Sequence, residues 1–141
     1  MLGDLWSFQG RYRTLHLTWI AFFLTFVVWF NLAPLATTVK ADLGLTVGQI
    51  RTVAICNVAL TIPARVLIGM LLDKFGPRIT SSSFLVFSAI PCLLFASAQD
   101  FNQLVVARLL LSIVGAGFVI GIRMVAEWFP PKEIGLAEGI Y

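Results

Sequence analysis

Arg65 places a permanent positive charge within a largely apolar segment, TIPARVLIGMLLDKFGPRIT, residues 61–80. A charge at membrane depth costs about 2.5 to 3.5 kcal/mol even on the least severe scale, so a compensating contact is expected. The guanidinium is planar and carries a rigid fork of donors, which suits a small planar oxyanion that accepts two parallel hydrogen bonds. The residue type and its setting therefore predict an anion-binding site.

Arg65 belongs to a set of polar or small residues spaced four apart, namely Asn57, Thr61, Arg65, Gly69 and Asp73. On a helix this spacing gives one slowly turning stripe. Polar side chains within spans face the bundle interior or a water-filled cavity, so we expect Arg65 to point inward. The alternative is that its long side chain snorkels to the membrane interface, because Leu72 is only about 10 Å further along the helix.

No aspartate or glutamate lies deep in the apolar segments of the sequence, since Asp73 and Glu127 are near predicted helix ends. Arginine cannot act as a proton relay, so the pattern favours anion binding without such a relay. An intramembrane enzyme would need paired carboxylates, a Cys/His set or a metal cluster at depth. The sequence contains none of these, and we predict no enzyme, no cofactor and no metal site.

The elements that must position Arg65 are membrane-spanning helices. The 141 residues are 59% hydrophobic and 12% charged, whereas soluble domains average about 45–50% and about 25%. Apolar blocks long enough to cross a bilayer core predict helices at 17–38, 47–72, 80–98 and 104–129, with a fifth beginning at 135. Residues 1–16 are predicted to be a cytoplasmic segment and 17–141 a partial transmembrane domain. The fold class is all-α membrane protein.

The basic residues indicate how the helices are oriented. Those on the side of the N-terminus are Arg11, Arg13, Lys74, Arg78 and Lys132. By the positive-inside rule this side is cytoplasmic, and we expect a multi-pass protein of the plasma membrane, the inner membrane of the cell. The excess of basic residues that gives the net charge of +3 thus reflects the orientation of the helices in the membrane. No nucleic-acid partner is predicted. A signal peptide is a poorer interpretation of the first block, because its apolar run is too long.

Each predicted helix contains residues that weaken a helix: Pro34, Pro63 and Pro91 in the first three, and Gly115, Gly117 and Gly121 in the fourth. They indicate kinks that serve either packing or gating. Gly117 and Gly121 have the spacing of a close-packing face. Thr46 and Gln49 have the spacing of a capping box, which predicts that a helix begins at residue 47.

Two further arginines lie in the fourth predicted helix. Arg108 is near its outer end, and we expect it to reach lipid headgroups or a neighbouring loop. Arg123 precedes Glu127 by four positions, which predicts an ion pair along the helix. This pair is expected to be a structural latch, with a role in substrate exit as the alternative.

The stretch GMLLDKFGPR resembles the loop motif G-x-x-x-D-[RK]-x-G-x-[RK] of the major facilitator superfamily. The matching residues are Gly69, Asp73, Lys74, Gly76 and Arg78. The resemblance implies that this loop stabilises the outward-facing state through contacts with the opposite half of the carrier. Asp73 at a helix C-terminus opposes the helix dipole, so it should find a partner elsewhere.

Within that superfamily, NVALTIPARVLIGMLLDKFGPR and GIRMVAEWFPPKEIGLAEGIY resemble the bacterial nitrate/nitrite porters. The resemblance implies that Arg65 is one of two arginines that clamp nitrate. It also implies that Phe118, counted back from WFPP, packs on the anion. Carriers of the superfamily have about twelve helices, so the chain is expected to be an N-terminal portion of four to five helices whose partners are the bilayer and the missing C-terminal half.

The expected function is transport of nitrate and nitrite by alternating access, in the service of nitrate assimilation. Another anion carrier of the same superfamily remains an alternative, and fifth-helix sequence would separate the two. A four-span membrane scaffold that transports nothing is the alternative from a different class of protein.

Overall fold

Seven α-helices make up most of residues 7–141, the part of the chain that the computed structural model describes. In chain order they are α1 (Gly10–Phe30), α2 (Leu32–Asp42), α3 (Val47–Ala59), α4 (Thr61–Ala96), α5 (Phe101–Ser112), α6 (Gly117–Trp128) and α7 (Pro131–Ile140), and a short 3-10 segment (Ile113–Ala116) joins α5 to α6. Residues 7–141 contain no strand, and the predicted all-α class is confirmed. The first six residues of the predicted segment 1–16 lie outside the described range.

The chain reverses direction at Gly76, inside α4. The Gly76 backbone has φ 76° and ψ 165°, a conformation that is essentially open only to glycine. Leu60 and Phe87 line the same groove, although a straight helix would separate them by about 40 Å. Residues 61–75 and 77–96 are therefore two helices that pack side by side.

Within residues 7–141, three stretches are long and apolar enough to cross a membrane: Gly10–Asp42, Val47–Ala96 and Phe101–Trp128. Because Val47–Ala96 doubles back at Gly76, it supplies two passes, and the described residues provide four passes in all. The turn is tighter than the predicted connection, since helix continues to residue 75 and resumes at Pro77.

Two of the first three passes are interrupted four residues before a proline. Proline cannot donate to the carbonyl four residues earlier and its ring crowds that carbonyl. Accordingly α1 ends at Phe30, four residues before Pro34, and α3 ends at Ala59, four residues before Pro63. In contrast, α4 continues through Pro91. The fourth pass changes to 3-10 geometry at the segment that contains Gly115.

Local capping explains where several helices begin. The predicted capping box is present: the Gln49 amide donates to Thr46 Oγ1 over 3.2 Å, and the Thr46 amide donates to Gln49 Oε1 over 2.8 Å. Asp100 caps α5 by accepting from the Gln103 amide over 2.8 Å, so this helix begins at residue 101 rather than 104.

The two ends of the chain are more helical than expected. The first helix begins at Gly10, not at residue 17, and Arg11 near its start pairs with Glu133 at 2.9 Å. The last helix begins at Pro131, not at residue 135. Proline at the first helical position costs no hydrogen bond there, which explains the earlier start.

Buried apolar residues form three clusters in the bundle. One, at the end where α1 and α7 begin, contains Tyr12, Leu15, Val125, Phe129 and Ala137. A second contains Ala64, Ile68, Leu72, Phe84, Ala116 and Ile120, and joins both parts of α4 to α6. The third contains Leu32, Leu45, Val53 and Leu104, and joins α3 and α5 to the start of α2 and the connection after it. Packing between α3, α4, α5 and α6 thus fixes the helices that carry the candidate site.

Candidate functional site

Arg65 lies on the first part of α4, one position after the buried Ala64. Its side chain is exposed on the surface of the described helices. Within residues 7–141 it makes no hydrogen bond, ion pair or cation–π contact. Residues 7–141 therefore leave the donors of this guanidinium available to a ligand or to another part of a larger protein.

The stripe that contains Arg65 does not stay on one buried face. Asn57 and Thr61 are buried, Gly69 is half-buried, and Arg65 and Asp73 are exposed. Each step of four residues rotates about 40° around a helix, so the later members turn out of the core of these helices. Arg65 therefore lies outside the core of the described helices, and its inward orientation in a larger bundle stays a prediction.

Phe118 is the second residue of α6 and takes part in a cluster of three aromatic rings. Its ring centroid lies 5.8 Å from that of Phe22 on α1 and 5.9 Å from that of Tyr141 after α7. Phe22 and Tyr141 also contact each other, at 4.9 Å. The Phe118 side chain remains 42% exposed, so one face of this cluster is open for further packing.

Arg65 and Phe118 are on neighbouring helices. Ala64 and Ala116 belong to the same buried cluster, so α4 and α6 pack closely beside both residues. Phe118 is two positions after Ala116, which turns it about 200° around α6 and toward α1. Among the described residues no hydrogen bond, ion pair or cation–π contact joins Arg65 to Phe118.

The predicted loop motif forms the turn at Gly76. Lys74 and Arg78 are exposed on either side of it, and the Lys74 ammonium lies 5.2 Å from the Phe75 ring centroid. Asp73 is exposed as well and makes no ion pair or hydrogen bond to any residue of 7–141. Gly69 is half-buried on the helix before the turn, and a Cβ at that position would meet no atom within 4 Å.

Small residues on α6 accept aromatic rings. A Cβ at Gly117 would lie 2.8 Å from Phe84 Cε1, and one at Gly121 would overlap the ring of Tyr141. The predicted close-packing face is therefore present, but its neighbours are side chains rather than another helix backbone. Gly121 in particular makes room for the aromatic cluster around Phe118.

The expectation that Arg108 reaches headgroups or a loop is wrong. Its side chain is fully buried, its Nη1 donates to the Trp29 carbonyl over 3.3 Å, and its guanidinium lies 4.5 Å from the Phe95 ring centroid. Its Nε has no hydrogen-bond partner among the described residues. Helices α1 and α4 cover this position of α5, and contacts so distant in sequence leave no local signal.

The expected pair of Arg123 and Glu127 is confirmed. Arg123 Nε donates to Glu127 Oε1 over 3.2 Å, along one turn of α6. Both side chains are largely exposed, at 54% and 41%. The pair is therefore a surface contact near the end of this pass.

The sequence of the chain is similar to a known protein family and to several individual proteins. The family model described as Major Facilitator Superfamily matches residues 18–141. No solved structure matches the chain.

Among individual proteins, the chain is 68% identical to the nitrate/nitrite transporter NrtP of Picosynechococcus sp. and 67% identical to that of Nostoc punctiforme. Both alignments cover the whole chain but only 26% and 28% of these relatives. A probable nitrate/nitrite antiporter, NarK1 of Thermus thermophilus, is 33% identical over 93% of the chain and 30% of its own length. The chain thus spans about a quarter of the length of the first two relatives.

Proposed function

From the premise that the chain belongs to the major facilitator superfamily, we propose that it forms the N-terminal part of a carrier that moves nitrate and nitrite across a membrane by alternating access. Its apolar helices make it a multi-pass membrane protein. The names of its relatives support an inorganic anion as the substrate.

The observation that carries this proposal is the unpaired guanidinium of Arg65. It lies on an apolar helix, carries a fixed charge, and has no partner among residues 7–141. A charged side chain within a membrane span is rare and usually marks a functional site. For an arginine, the natural counter-charge is an anion. Nitrate is planar and presents oxygen atoms that can accept two parallel hydrogen bonds from the fork.

Phe118 is proposed to supply a wall of the same site. An aromatic ring can pack against the flat face of a planar anion while the arginine binds the anion's edge. Phe22 and Tyr141 support the Phe118 ring from α1 and from the end of α7. Because Arg65 lies on α4 and Phe118 on α6, a ligand that contacts both would lie between these two helices.

The remainder of the site belongs to the rest of the carrier. A second arginine from the C-terminal half, which the family resemblance implies, would bind the anion from the opposite side. The turn motif at Gly76 would contact that half in the outward-facing state through Asp73, Lys74 and Arg78. Closure of the two halves around the anion would then desolvate it and strengthen each charged contact.

The N-terminus is proposed to lie in the cytoplasm and the carrier in the inner membrane. Arg11 near the start of α1 pairs with Glu133 near the start of α7, next to Lys132, so basic residues far apart in sequence share one end of the bundle. Clustering of Lys and Arg at one end is the pattern that keeps that end inside the cell.

A chimera tests the proposed function directly. Residues 1–141 would replace the matching segment of the Picosynechococcus transporter, and labelled nitrate uptake would be measured in cells that lack their own nitrate carriers. We expect saturable uptake that unlabelled nitrite inhibits and that sulfate and phosphate do not. Correct membrane insertion without saturable nitrate uptake would contradict the proposal, and uptake of a different anion would favour another anion carrier of the superfamily.

A further inference from the structure

The interruption between α3 and α4 is held in place by α5. The Leu60 amide donates to Ser112 Oγ over 3.1 Å, and the Thr61 hydroxyl donates to the Ser112 carbonyl over 2.8 Å. Ser112 is fully buried and Thr61 is 6% exposed. Two hydrogen bonds thus join Ser112 to the point where α3 ends and α4 begins, at Leu60 and Thr61.

The same interruption is held from the side of α1. The Trp29 indole donates to the Asn57 carbonyl over 2.8 Å, one turn before Thr61. Trp29 lies over Gly115, where a Cβ would be 2.6 Å from Trp29 Cζ2. The breaks in three passes are therefore joined to one another: at Asn31, at Leu60 and at 113–116.

Arg65 follows Thr61 by one helical turn, about 6 Å, and the residues between them, Pro63 included, keep helical backbone angles. A change in the depth or rotation of Thr61 should therefore move Arg65 with it, because both residues lie on the same turn of regular helix. A two-pronged contact to a planar anion tolerates little misalignment, so the placement of Thr61 matters for binding at Arg65.

Resting on the proposed function, we propose that Thr61 and Ser112 are positioning residues for the anion site. Their hydrogen bonds fix the depth and rotation at which α4 presents the Arg65 guanidinium. Neither residue needs to contact the anion, since each acts through the backbone of α4. Loss of either bond should therefore weaken nitrate binding more than it changes the amount of folded carrier.

The test compares two replacements of Thr61 in the chimera. Thr61→Val has nearly the same shape and lacks the hydroxyl, whereas Thr61→Ser keeps it. We expect Thr61→Val to raise the KM for nitrate by about threefold to tenfold, the effect of losing one buried hydrogen bond, with membrane abundance unchanged. Thr61→Ser should stay within about twofold of the parent chimera.

Two further variants keep the comparison decisive. Ser112→Ala removes the acceptor for the Leu60 amide but keeps the carbonyl, and it should raise KM in the same direction even if Thr61→Val does not insert. Thr52→Val is the matched control, because the Thr52 hydroxyl bonds only within its own exposed turn of α3, and its KM should not change.

An unchanged KM in the inserted variants, with only their abundance reduced, would show that the bonds stabilise the fold without aiming Arg65. A Thr61→Ser variant as impaired as Thr61→Val would also overturn the inference. These outcomes differ from failure of the proposed function, in which the parent chimera itself would show no saturable nitrate uptake.

Discussion

The Trp29 indole N–H lies 2.8 Å from the Asn57 carbonyl and donates to it, which ties the end of α1 to the end of α3. Both helices end within a few residues of this bond, each four residues before a proline. Trp29 also accepts a hydrogen bond from Arg108 at its own carbonyl, over 3.3 Å. One residue therefore links three of the four passes.

Gly115→Ala is expected to loosen this link. The added Cβ would lie 2.6 Å from the Trp29 ring, a distance at which the ring must move, and overpacking of this kind costs about 1 to 3 kcal/mol. The midpoint temperature of unfolding of the purified chimera in detergent should fall. Gly139→Ala, where a Cβ meets nothing within 4 Å, is the matched control and should leave the midpoint unchanged or raise it.

Trp29→Phe should relieve part of that cost, because the atoms nearest to the added Cβ belong to the six-membered ring of the indole. The double variant should lose less stability than the sum of the two single variants. Additive losses would indicate that Gly115 is required for a reason other than contact with Trp29.

Gly76→Ala should damage the turn within α4. The Gly76 conformation is costly for any residue with a Cβ, by about 1 to 3 kcal/mol. We expect lower membrane abundance and a lower unfolding midpoint for the chimera. Gly135→Ala in α7 is the control, since that glycine lies within a helix and has open space around it. Equal effects of the two replacements would contradict the assigned turn.

Two ion pairs among residues 7–141 are expected to differ in strength. Arg11 and Glu133 join two helices at 2.9 Å with side chains 35% and 20% exposed, and Arg11 also lies over the Phe129 ring at 5.3 Å. Arg123 and Glu127 are more exposed and lie on one helix. Double-mutant cycles on unfolding should give a larger coupling energy for the first pair than for the second. The reverse order would contradict this interpretation.

The sequence predicted much of the fold because its signals are local. Pro34 and Pro63 act on the carbonyl four residues earlier, and Thr46 with Gln49 forms its capping box within one turn. The pair of Arg123 and Glu127 is local in the same sense. Such features depend little on how the helices pack against one another.

The sequence could not reveal features that depend on packing between helices. Arg108 resembled a residue near a membrane interface, but Trp29 and Phe95 come from two other helices and enclose it. The exposure of Arg65 on the described helices likewise follows from which side of α4 packs against α6. The early start of α7 did have a signal, because Pro131 at the start and the acidic Glu133 in the same turn are typical of a first helical turn.

The role of Arg65 is the central claim, and the most direct measurement compares nitrate uptake by Arg65→Lys and Arg51→Lys variants of the chimera. Both replacements keep the positive charge and remove the planar fork of donors, and Arg51 is exposed on α3 away from the proposed site. We expect Arg65→Lys to raise the nitrate KM at least about tenfold or to abolish uptake, and Arg51→Lys to behave like the parent. Uptake by Arg65→Lys with the parent KM, at equal membrane abundance, would contradict the assignment of Arg65 as the anion clamp.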